Sequence, residues 1–76
     1  MPPLPVCSGR EAIRAFERAG WRQARQVGSH VILTHPRVAI RLSVPDHKEL
    51  RPGLLRSLIR DAGLTVEDFV GLLGRR

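Results

Sequence analysis

The chain has one cysteine, one lysine, no tyrosine, and only two phenylalanines and one tryptophan among its aromatic residues. Each scarcity excludes something. Cys7 can form no disulfide within the chain and no cysteine-based zinc site, and it points to a reducing compartment. With so few rings the core must be aliphatic, with Phe16, Trp21 and Phe69 as its bulky members. No apolar run approaches the ~18 residues that a membrane-spanning helix needs. The opening "MPPLPVCSGR" lacks the charged and apolar regions of a secretory signal, so a cytoplasmic protein without a membrane partner is expected. Acidic residues are also few, seven against thirteen basic ones. Most belong to helix caps or loops, which argues against chemistry that recruits several carboxylates around metal ions.

What is present describes one small basic domain. Of 76 residues, 42% are hydrophobic, enough for a compact fold and too many for a disordered tail. A chain this short buries only about 60% of its unfolded surface, so the core is small. The net charge is +6, and twelve of the thirteen basic residues are arginine. That excess suggests a polyanionic partner, and arginine favours planar, two-pronged contact with phosphate. A GC-rich coding sequence would also favour arginine over lysine, but it explains the positive balance less well.

The pattern along the chain gives an order of elements. Ser8-Gly9-Arg10-Glu11 is a capping box, followed by Ala12, Ile13, Phe16 and Ala19 at helical spacing and a stop at Gly20. This predicts a helix over 9–19. Three strands come next. "WRQARQV" alternates weakly, "HVILTH" follows a Gly28-Ser29 turn, and "VAIRLSV" alternates clearly after the Pro36-Arg37 turn. Linked so closely, they form an antiparallel meander. Pro52 opens a second helix with Leu54, Leu55, Leu58, Ile59 and Ala62 as its stripe, ended by Gly63. "TVED" caps a short third helix. The expected class is α+β in the order αβββα(α), with both main helices on one face of the sheet, as in a double-stranded-RNA-binding domain. Residues 1–7 read as an extended N-terminal arm, 8–73 as a single domain and 74–76 as a basic tail. Val31, Leu33, Val38, Ile40, Leu42 and Val44 are expected under the helices. His30, Ile32 and Thr34 are then expected on the open face.

Two stretches carry a family likeness. "AGWRQARQVGSHVILTHP" and "VPDHKELRPGLLRSLIRDAGLTVEDF" resemble the HicA family, small mRNA-cleaving toxins of bacterial type II toxin–antitoxin modules. The likeness covers most of the chain. It departs from the family pattern where a second histidine often follows "GSH", here Val31, and where threonine commonly follows "PG", here Leu54. The resemblance implies a double-stranded-RNA-binding-like fold, an mRNA substrate, a HicB-type antitoxin as partner, no small-molecule cofactor and no metal. It also implies that His30 is the essential catalytic residue.

That role fits the chemistry. RNA carries its own nucleophile, the 2′-hydroxyl. An imidazole, with an ordinary pKa of about 6.5, suits removal of its proton. Gly28 permits positive φ and a close approach of substrate backbone, and Ser29 adds donors for a phosphate oxygen. Arg22, Arg25 and Arg41 on neighbouring strands are candidates for neutralising charge that develops at phosphorus. Lys48 and Arg51, near the start of the second helix, are the favoured phosphate contacts. The row Arg10, Arg14 and Arg18 reads first as a solvated helix face. The general acid is left open between His35, His47 and neither. Two other readings compete with a nuclease: an RNA-binding module without turnover, and a degenerate toxin that acts only through its protein partner.

Overall fold

A computed structural model describes residues 3–74; Met1 and Pro2 of the expected arm and Arg75 and Arg76 of the expected tail lie outside the described residues. The elements run α1 (Gly9–Arg18), β1 (Arg22–Val27), β2 (His30–His35), β3 (Val38–Pro45), α2 (Pro52–Asp61) and α3 (Val66–Leu73). The strands form one antiparallel sheet with β2 in the middle. Helices α1 and α2 pack on it, and α3 packs on α1. This is the α+β arrangement that the sequence pattern predicts. No helix among the described residues is long and apolar enough to cross a membrane.

Each helix begins where the sequence offers a solution for its unpaired N–H groups. The Ser8 N–H donates to Glu11 Oε1 at 2.9 Å, and the Glu11 N–H donates to Ser8 Oγ at 3.1 Å. Thr65 and Asp68 make the same reciprocal pair at α3, 3.0 Å each way. The Thr65 N–H, helped by the Thr65 hydroxyl, holds the Asp68 carboxyl below the usual carboxylate range. A lowered folded pKa means that this contribution to α3 is present above the unfolded pKa and is lost as pH falls through the folded one. α2 has no side-chain cap at Arg51; Pro52 occupies its first turn instead, where the N–H it lacks would go unpaired in any case.

The core fixes the sheet's orientation. Val31 and Leu33 of β2 lie opposite Val44 and Leu42 of β3. All four are almost fully buried, in one cluster with Ala12, Ile13 and Phe16 of α1, Leu55, Leu58 and Ile59 of α2, and Phe69 of α3. The Phe16 and Phe69 rings meet at 5.2 Å, tilted by 47°, a favourable arrangement for an aromatic pair. Residues 3–7 form no helix or strand, yet Leu4 packs against the core and Cys7 is buried within it. The Cys7 carbonyl accepts from the Leu50 N–H at 2.9 Å, so this end of the chain is tied to the loop before α2.

One expected core position is wrong. Ile40 is 51% exposed. The β2–β3 register shifts between Leu33 and His35, so residues 39–41 bulge opposite Thr34 and carry Ile40 out from beneath the helices. A second shift lies on the other side of β2, between Gln23 and Arg25. Strict alternation would send Arg22 and Arg25, three residues apart, to opposite faces. The extra residue, Ala24, sets Arg25 opposite Ile32 and Arg22 opposite Thr34, both on the open face.

The two ends of the sheet are closed differently. At one end, Gly28 and Ser29 join β1 to β2. Gly28 has φ +59° and no non-glycine residue among the described residues, Ser29 included, has positive φ, the signature of a type II′ hairpin turn. At the other end His35 is a staple. Its Nδ1 accepts from the Arg37 N–H at 3.0 Å and its Nε2 lies 3.2 Å from the Ala19 carbonyl oxygen. Only the tautomer protonated at Nε2 makes both bonds. The ring also packs on Trp21, with centroids 5.3 Å apart. Gly20 permits this approach, because a Cβ there would sit 2.8 Å from His35 Nε2.

Two stability predictions follow from these contacts. His35→Phe keeps a ring against Trp21 but leaves the Ala19 carbonyl without its donor, so it should cost about 1–3 kcal/mol, seen as a drop in Tm by thermal denaturation. Gly28→Ala meets no atom within 4 Å, so its cost is limited to the backbone strain of positive φ, about 1–3 kcal/mol. Gly9→Ala should cost more despite its ordinary φ, because its Cβ would collide with the Pro45 carbonyl oxygen, a backbone atom that cannot step aside. Melting curves of the two alanine variants would test that ranking.

Candidate active site

His30 opens β2 immediately after the Gly28–Ser29 turn and is exposed. Its ring has no hydrogen bond or ion pair to any described residue. Val27 lies opposite it on β1 and Pro45 on β3. The turn itself is fastened through its carbonyls. The Gly28 oxygen accepts from Gln26 Nε2 at 3.0 Å, and the Ser29 oxygen accepts from the Asp46 N–H at 2.7 Å. Neither N–H of the turn nor the Ser29 hydroxyl has a partner among the described residues. Those donors are available to an incoming anion.

The bond from Asp46 to Ser29 brings the loop between β3 and α2 to the same end of the sheet. A second bond, from the Gly9 N–H to the His47 carbonyl oxygen at 2.9 Å, adds the start of α1. Arg10 then pairs with Asp46 at 3.1 Å. His47, Lys48 and Arg51 are all exposed in or beside this loop, together with one acidic residue, Glu49. A basic, solvent-open corner therefore forms around His30 from segments far apart in sequence. Gly9, Arg10 and Asp46 hold this corner together, and sequence reasoning missed them as a group. The Arg10–Asp46 pair joins residues 36 apart, and no local spacing signals such a contact.

The strand arginines are not equivalent. Arg25, opposite Ile32, lies diagonally across from His30, within reach of a long side chain. Arg22 is level with Thr34, and Arg41 faces the same way as Ser43 beside the bulge. Both stand four strand positions from His30, about 13 Å at 3.3 Å per residue. Arg22, Thr34, His35 and Pro36 line a shallow open groove at that end.

The other histidines separate as well. His35 is at the far end of β2 with both ring nitrogens engaged, about 17 Å from His30 by strand rise. It is a structural residue of the fold. His47 is exposed on the loop beside the turn. No group of three His, Cys, Asp or Glu side chains among the described residues is close enough to hold a metal ion. Val31, in the place of the second histidine, is 1% exposed in the core. An imidazole at that position would lie under the helices, on the opposite face from His30, so its replacement leaves the corner unchanged. Leu54, where threonine is common, is 38% exposed at the start of α2.

A search of curated proteins returned no match. The family model for the HicA toxin of bacterial toxin–antitoxin systems matches residues 9–64 of the 76. The matched span contains α1, the whole sheet, the Gly28–Ser29–His30 turn, the loop with Lys48 and Arg51, and α2. With most of its length matched, including every segment that builds the basic corner, the chain belongs to the HicA toxin family and is a toxin of a toxin–antitoxin system.

Proposed function

We propose that this toxin is a metal-independent endoribonuclease that cleaves mRNA in the cytoplasm, with His30 as general base. The observation that carries the reading is the exposed His30 ring, unbonded to the protein, beside a turn with unpaired donors and a loop with Lys48 and Arg51. His30 takes the proton from a ribose 2′-hydroxyl. The freed oxygen attacks the adjacent phosphorus, the O2′–P bond forms, and the P–O5′ bond breaks. The products are a 2′,3′-cyclic phosphate and a 5′-hydroxyl. The Gly28 and Ser29 N–H groups, the Ser29 hydroxyl and Arg25 stabilise charge on the non-bridging oxygens. Lys48 and Arg51 hold the flanking phosphates. The distance to His35 leaves His47 or solvent to protonate the leaving 5′-oxygen.

A single domain over residues 8–73 contains all of these groups. The partner is a HicB-type antitoxin that covers His30 and the basic corner, presenting acidic groups of its own. No small-molecule cofactor takes part. The burial of Val31 supports an active toxin over the degenerate-toxin alternative. The alternative of an RNA-binding module without turnover predicts binding without products.

A positioned general base contributes about 10²–10⁴-fold, so His30→Gln should lower RNA cleavage by that factor. Its melting temperature should stay near that of the wild type, since an exposed and unpartnered side chain changes stability by about 0.5 kcal/mol at most. Cleavage by the wild type should persist in EDTA and leave cyclic phosphate ends. Equal cleavage by the two proteins, or loss of activity in chelator, would sink the mechanism.

A further inference from the structure

All seven acidic residues lie outside the sheet. From Trp21 to Pro45 there is no Asp or Glu, but there are four arginines. Three of them, Arg22, Arg25 and Arg41, share the open face with His30, Ile32, Thr34 and Ser43. The Ala24 bulge is what gives Arg22 and Arg25 a common face. None of the three arginines has a hydrogen bond or ion pair among the described residues.

The helix side is different. A row of arginines on α1 is what a duplex-binding domain of this fold would turn toward RNA. Here Arg10 is paired with Asp46 at 3.1 Å, and the Arg18 guanidinium donates to the Leu72 carbonyl oxygen. Two of the three α1 arginines therefore hold the fold together. Only Arg14 has no such partner among the described residues.

We propose that the open face of the sheet is a track for single-stranded RNA, running along β2 from His30 to the Arg22–Arg41 end. This deepens the nuclease reading and rests on it for the position of the cut. Arg25, diagonal to His30, stays on the scissile phosphate. Arg22 and Arg41, about 13 Å from His30, each hold a phosphate a few nucleotides away, Arg22 from the groove that it lines with Thr34, His35 and Pro36. The face carries no Phe, Tyr or Trp for bases to stack on, and the apolar groups that the sheet leaves open there are aliphatic, Val27 and Ile32 with the exposed Ile40 at the bulge. A protein interface would want larger apolar anchors. Guanidinium groups without anchors suit a phosphate backbone, held with little preference for base.

The test is binding of a fluorescent 2′-O-methyl RNA of about 12 mixed nucleotides, which cannot be cleaved, across a range of salt concentrations. Arg22→Gln/Arg41→Gln is compared with the charge-matched Arg14→Gln/Arg60→Gln on the helices. All four residues are exposed, and thermal melts confirm that both variants are folded. Losing two single-strand phosphate contacts should make the slope of log K against log salt shallower by about 1.4. The helix variant should keep the wild-type slope, and a duplex of the same sequence should bind more weakly than the single strand. Equal slopes for the two variants would overturn the track and leave the face to a protein partner, as would a duplex bound more tightly than the single strand. If the sheet variant shows the shallower slope while natural RNA is never cut, the track stands and the nuclease reading alone falls.

Discussion

Burial of Val31 and Leu33 is the constraint on which the rest of the structure depends. The two side chains lock β2 into the core against Leu42 and Val44. Because the pleat alternates with period two, their burial forces His30, Ile32 and Thr34 to the other face. A slip of one residue would reverse every side chain, hiding His30 under α1 and α2 and moving two large aliphatic groups into water. Each such group is worth about 1.5–3 kcal/mol when buried, so the register is strongly defended. Exposure of the His30 ring is thus a by-product of core packing.

The second organising feature is how charge is divided. On the helix side three arginines meet carboxylates or a carbonyl, Arg10 with Asp46, Arg18 with Leu72 and Arg60 with Asp61, while Arg14, Arg51 and Arg56 have no such partner among the described residues. On the sheet side none of Arg22, Arg25 and Arg41 has a side-chain partner among the described residues. The Arg10–Asp46 contact is exposed and contributes little energy by itself. Its value is positional, because the same loop is held by backbone bonds to Ser29 and Gly9. These bonds bring the 46–51 loop, the hairpin turn and the start of α1 to one corner. Histidine is divided in a similar way. His35 is bonded at both nitrogens and packed on Trp21, whereas His30 is bonded at neither.

Much of this was legible in the residues. The capping boxes at Ser8 and Thr65, the Pro52 start and the helix stops rest on local hydrogen bonding, which a short sequence window contains. The hairpin at Gly28-Ser29 rests on one residue's tolerance for positive φ. The alternation of β2 and β3 reports which face is buried. Ile40 was misassigned because a bulge depends on how the partner strand twists, and a single strand's pattern carries no trace of it. The same blindness applied to Arg22 and Arg25, whose spacing by three argues against a shared face. Position 31 could be recognised as a departure from the family pattern, but only the packed sheet showed that it looks into the core.

By itself, then, the sequence determined the order and kind of the elements, the aliphatic core, the basic excess and the histidine after the glycine turn, because each is written in contacts between neighbours or in bulk composition. Tertiary structure decided which arginines are engaged, which face Arg22 and Arg25 share, which histidine serves the fold, and which loop stands beside His30. Those outcomes come from register shifts and from bonds between residues 16 to 54 positions apart, and only the folded chain brings such partners together.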